Sequence, residues 1–133
     1  MSNSLLKIAF AILAVTVLLG AWGAHGLRNV LDAEALKSWS TATQYAFTHA
    51  LGMILLQVSA ASGILLPNRV KVASWMMLIG IFLFSGSIYL LTTKMMHGMP
   101  VSWLGPVTPI GGLLFVAGWC AAFAATFQVK REN

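Results

Sequence analysis

Four runs of about twenty apolar residues fill most of this chain, and Lys7 is the one charged side chain inside any of them. That pattern leaves few folds open. Backbone N–H and C=O groups find no water in hydrocarbon, so a segment there satisfies them within itself as a helix, or between strands as a closed barrel. The period-2 alternation of a barrel strand is absent, which predicts helices. Only 8% of the residues are charged and 59% are hydrophobic, against about 25% charged in a soluble domain. Too little polar surface remains to cover a water-facing globule, so lipid is the expected solvent.

The runs lie at about 5–24, 46–66, 72–93 and 107–128, each near the ~20 residues that cross a ~30 Å hydrocarbon layer as a helix. The expected architecture is all-α, with four transmembrane helices in a compact bundle forming one integral-membrane domain over residues 1–133. The first run has a tolerable cleavage pattern at Ala21-Trp22-Gly23, but it is longer than a typical signal-peptide core and is read as a span. Four spans put both termini and the middle loop on one side. Lys7, Arg69, Lys71, Lys130 and Arg131 lie there, against Arg28, Lys37 and Lys94 on the other. This predicts cytoplasmic termini. Trp22, Trp39 and Trp103 then fall near the outer interface and Trp75 near the inner one, while Trp119 is mid-span and expected between helices.

The +5 charge is spread out, with no basic run interleaved with aromatics, so nucleic acid is not an expected partner. Cys120 is the single cysteine. It excludes an internal disulfide and reads as a buried, inert thiol.

In the first connection, LDAEALKSWSTATQYAF, Asp32 is a plausible N-cap and Leu36, Trp39 and Thr43 recur at helical spacing. An amphipathic helical segment on the outer surface is expected between spans one and two, bending at 38–41 or running on into span two. The third connection, rich in Gly and Pro, should be irregular, with Thr108-Pro109 as N-cap and N1 of the last helix. Small residues recur every fourth position at Ala42, Ala46 and Ala50, at Ala117, Ala121 and Ala125, and at Gly118, Ala122 and Thr126. Such rows let helices approach closely, within one chain or between copies. Gly23, Gly86, Gly111 and Gly112 are the expected packing glycines.

Polar groups inside a bilayer are costly and should face other helices. On the predicted topology His25, Tyr45, His49, Ser85, Tyr89 and Thr108 gather in the outer half of the bilayer. They are the candidates for a polar pocket or a helix junction, with the junction favoured for each histidine. No intramembrane carboxylate, serine motif, HExxH or phosphate loop is present. No catalytic residue, metal ligand or cofactor is therefore expected. Haem or metal between two histidines lacks any local chelating spacing. Met95-Met96-His97-Gly98-Met99 offers copper(I)-type ligands, but methionine is also a common filler. A proton path would lack its acid.

The motifs GAWGAHGL, QYAFTHALGMILL, FSGSIYLL and TPIGGLLFVAGW resemble, in order and spacing, an uncharacterised family of small bacterial inner-membrane proteins typified by YgdD and YwdK, with a distant eukaryotic relative. The resemblance covers nearly the whole chain, and the MMHGM loop does not look like part of it. It implies a four-span helical protein of the bacterial inner membrane and brings no reaction, substrate or cofactor. The leading expectation is a non-enzymatic accessory or interaction protein in the lipid bilayer, joined to a second copy or a membrane-protein partner. The alternative is small-molecule, lipid or ion binding or transport through an outer-facing polar pocket. A haem or quinone redox role ranks third.

Overall fold

The computed structural model describes residues 3–127, and those residues form helices with no strand. The span end at Gln128 and the basic pair Lys130 and Arg131 lie outside the described residues. Helix α1 runs Asn3–Ala24 and α2 Ala33–Ala61. The third rod is α3, Pro67–Gly80, a π-helical turn, Ile81–Gly86, and α4, Ser87–Thr92. A single turn α5, Lys94–His97, and a 3-10 turn, Ser102–Leu104, lead to α6, Val107–Ala125.

Three of these helices are long and apolar enough to cross a membrane: Ser4–Ala24, Pro67–Thr92 and Ser102–Ala125. Three of the four expected spans are thus found among the described residues. At 29 residues α2 has the length, but Gln44, Tyr45, His49 and Gln57 dilute its apolar run.

The expected surface segment is not a separate element. Asp32 caps α2, its carboxylate accepting from the Ala35 N–H at 2.8 Å, and the helix continues unbroken through 38–41. The hydroxyls that could have bent it turn back on their own helix, Thr41 to Lys37 O at 3.0 Å and Thr43 to Trp39 O at 3.0 Å. At its far end Gly63, at φ +73°, stops the helix. Ile64 N–H donates to Ser59 O and Gly63 N–H to Ala60 O, the pair of bonds of a Schellman motif, whose left-handed residue glycine adopts without a Cβ penalty.

Helix α1 packs on α2, α2 on the third rod, and α6 on α3 and the π turn. The row Ala42, Ala46 and Ala50 becomes a buried contact face of α2 with Met53, and on α6 Gly111, Phe115, Gly118, Ala122 and Ala125 are buried, while Ala117 and Ala121 are half-buried and Thr126 is exposed. At the tight turn before α3, Leu66 N–H donates to Ala125 O and Arg69 to Ala124 O, both at 3.1 Å. A cation there satisfies the last carbonyls of α6 and complements its dipole.

Two further expectations change. The last helix begins at Val107 behind Pro106, and Thr108 is not its N-cap; its hydroxyl is engaged with Ser87 instead. Cys120 is exposed, because the buried stripe of α6 runs through Gly118 and Ala122.

Candidate functional site

The polar candidates fall into two groups and one outlier. The first group closes the seam between α2 and the third rod. Ser85 Oγ donates to Ala42 O at 2.7 Å, and the Tyr89 hydroxyl to Thr43 Oγ1 at 2.9 Å. Ser87 and Thr108 share a hydroxyl bond at 2.6 Å that ties the third rod to α6. Trp39 lies over this seam, its ring 4.5 Å from Tyr89 and its Nε1–H donating to Leu19 O at 2.9 Å, which pins α1 to α2. Deeper along α2, Gln57 Nε2 donates to Ser74 Oγ at 3.0 Å. Sequence reading missed Thr43, Ser74 and Trp39 as partners. The helical spacing of Trp39 and Thr43 was the available signal.

The π turn is where the third rod and α6 touch backbone to backbone. A Cβ at Gly111 would sit 2.8 Å from Leu83 C and from Phe84 Cα. Gly23 likewise leaves room for the Trp39 indole, whereas Gly112 makes ordinary contact with Phe84. Gly86 has no atom within 4 Å of where its Cβ would be, so it packs nothing in this chain. It lines an apolar crevice of about 410 Å³ between α1 and the π turn, together with Ile8, Ile12, Val15, Ile81 and Phe82. The hydroxyls on that crevice are turned away: Thr16 bonds Leu13 O of its own helix at 2.8 Å, and Ser85 bonds α2.

The second group surrounds His49. Its Nδ1 lies 2.6 Å from Tyr45 O. A carbonyl only accepts, so Nδ1 carries the proton and Nε2 of the neutral ring is a bare acceptor. The imidazole is stacked on Phe115 with centroids 3.6 Å apart and planes at 15°. Tyr45 lies 5.8 Å away at 21° on its own helix, Trp119 6.0 Å away at 53°, and Phe84 of the π turn meets Tyr45 at 4.7 Å. Trp119 reaches α2 at Gly52, where a Cβ would meet its ring at 2.9 Å.

His25 is the outlier. It is exposed just past α1, and its side chain has no hydrogen bond or ring contact with the other five candidates. The structure therefore does not bring His25 and His49 into one pocket. The turn after Ala24 directs His25 outward, while His49 lies on the buried face of α2, toward the middle of the helix. In the 94–99 loop His97 spends both ring nitrogens locally, accepting from Met99 N–H at 3.0 Å and donating to Leu90 O at 2.9 Å. Among the described residues no group of three or more His, Cys, Asp or Glu is placed to hold a metal.

Comparison with known proteins adds identity to this geometry. The family described as Protein of unknown function (DUF423) matches residues 19–112. The chain is similar to the UPF0382 membrane protein YwdK of Bacillus subtilis, 42% identical over 89% of this chain and 89% of the relative. It is 41% identical to a UPF0382 membrane protein of Staphylococcus saprophyticus over 83% of this chain and 85% of that one. A UPF0382 membrane protein of Schizosaccharomyces pombe is 38% identical over 79% and 86%. No solved structure matches the chain.

Proposed function

The chain belongs to the DUF423 family of membrane proteins, and on that premise we propose that it is a single-domain, four-span accessory protein of the bacterial inner membrane that binds a partner's transmembrane helix and performs no reaction of its own. Helix α2 crosses as the fourth span because its polar groups are shielded by neighbours. Gln57 is held by Ser74 and His49 is packed under Phe115, which lowers the cost of their burial in lipid. Arg69 and Lys71 at the start of α3 support termini on the cytoplasmic side.

The observation that carries the partner reading is Gly86. A helix of glycine and small residues associates by close backbone approach, and here a glycine lies open at the floor of an apolar crevice that its own chain leaves unfilled. Thr16 and Ser85 show no polar group to it, which suits a helix side and not a solute.

A photoreactive residue in place of Phe82, on the crevice wall, tests this in native membranes. A crosslink to a second copy or to another membrane protein is expected, and Gly86→Leu should abolish it while the variant stays folded, since the side chain enters open space. Monomer alone, with or without the substitution, would count against the proposal.

A further inference from the structure

We propose that His49 Nε2 is the hydrogen-bond acceptor of a second, separate site on the α2–α6 face, whose ligand is a lipid-soluble, hydroxyl-bearing planar ring of the quinol class. The inference does not depend on the partner-helix reading, because the two sites share no residue.

His49 is only 5% exposed, yet one of its two nitrogens has no partner. Its Nδ1–H is committed to Tyr45 O, so protein geometry sets the tautomer and leaves the lone pair of Nε2 free. No buried nitrogen or oxygen in the described residues is sealed off without a partner. Nε2 is therefore not enclosed in packing: it reaches the edge of the aromatic cluster. A bare acceptor among apolar neighbours in lipid is costly, and the cost is recovered by a donor arriving from outside.

The surroundings restrict what that donor is. Tyr45 and Trp119 neighbour His49 and are 44% and 40% exposed, so aromatic ring surface lies open beside it. Neither the Tyr45 hydroxyl nor the Trp119 Nε1–H has a hydrogen bond within the described residues. The Tyr45 and Trp119 rings, each carrying a polar group, have their centroids 5.8 and 6.0 Å from that of His49. Elsewhere in the long helices Ser85, Ser87, Tyr89, Thr108 and Gln57 all have partners. A flat aromatic molecule stacks against such ring surfaces, and a hydroxyl on it donates to Nε2. A metal is a poorer fit, because among the described residues no two further His, Cys, Asp or Glu side chains join His49.

The test uses the full chain in phospholipid nanodiscs, isotopically labelled at the histidine nitrogens, with decylubiquinol as probe. The bare-nitrogen resonance of His49 should move saturably as quinol is added, while those of His25 and His97 stay in place. Decylubiquinone, which lacks the hydroxyl donor, and decyl alcohol, which lacks the ring, should bind about tenfold more weakly or worse, the weight of one hydrogen bond. His49→Phe, which keeps a ring on Phe115, should weaken quinol binding by about tenfold. The wild-type titration stands even if that variant does not fold. The proposal is overturned if the His49 resonance does not respond, or if decyl alcohol moves it as well as quinol does. It is equally overturned if the nitrogen is already hydrogen-bonded to water or lipid before any addition, or if the purified protein shows the Soret band of a haem on Nε2.

Discussion

The two faces of α2 handle polarity in opposite ways. Toward the third rod, the buried polar groups pair across the seam: Ser85 with Ala42 O, Tyr89 with Thr43, Ser74 with Gln57. Toward α6, His49 bonds its own helix at Tyr45 O, its Nε2 has no partner within the chain, and the half-exposed rings of Tyr45 and Trp119 are its neighbours. The first face is a closed account of donors and acceptors, in which polarity fixes helix register. The second is held by ring stacking and leaves hydrogen-bonding capacity unused. In a medium that offers no hydrogen bonds, a matched set reads as architecture and an unmatched one as a place for something else.

The comparison can be broken by substitution. The largest effect is expected for Trp39→Ala, which removes the indole from Tyr89 and Gly23 and the bond to Leu19 O. A loss of about 3 kcal/mol or more, read by reversible unfolding in mixed micelles, is expected; a loss below about 1 kcal/mol would mean that the closed face does not hold α1. Next comes Gly111→Ala, whose Cβ meets the backbone of the π turn and not a movable side chain. It should cost about 1–3 kcal/mol, whereas Gly86→Ala, in open space, should leave unfolding unchanged. Equal effects at the two glycines would contradict the packing described.

Smaller effects sharpen the contrast between the faces. A double-mutant cycle of Tyr89→Phe with Thr43→Val should return a coupling of about 0.6 kcal/mol, the usual worth of such a bond in a membrane protein. His49→Phe should change stability by less than about 0.5 kcal/mol. The ring stack survives, and Tyr45 O keeps the helical partner that follows it. A cost of 2 kcal/mol or more there would make His49 a structural joint like those on the other face.

Much of this arrangement was legible along the chain. Asp32 as a cap, the buried rows at Ala42–Ala50 and on α6, and the concentration of polar side chains in four segments all follow from local chemistry and helical period. The misses have physical causes. The segment at 38–41 left a bend and a continuous helix both open, and the structure takes the continuous helix, with Thr41 bonding back to Lys37 O. Thr108-Pro109 resembled a helix start, yet Pro106 occupies that role and frees Thr108 for Ser87. The π turn had only the FSGS motif as a hint. Its widening appears where α6 comes against it at Gly111, a contact between residues far apart in sequence.

The sequence by itself determined that this chain is helical and lives in lipid, because uncharged runs of this length leave the backbone no other way to satisfy its hydrogen bonds. Its motifs also determined the family. Tertiary structure decided which polar residues meet. His25 and His49 look equivalent as isolated polar residues in apolar sequence, but one is turned out past the end of α1 and the other lies beneath Phe115. Pairing depends on how neighbouring helices are rotated and how closely they approach, and that is set by contacts such as Gly111 on the π turn and Trp39 on Gly23.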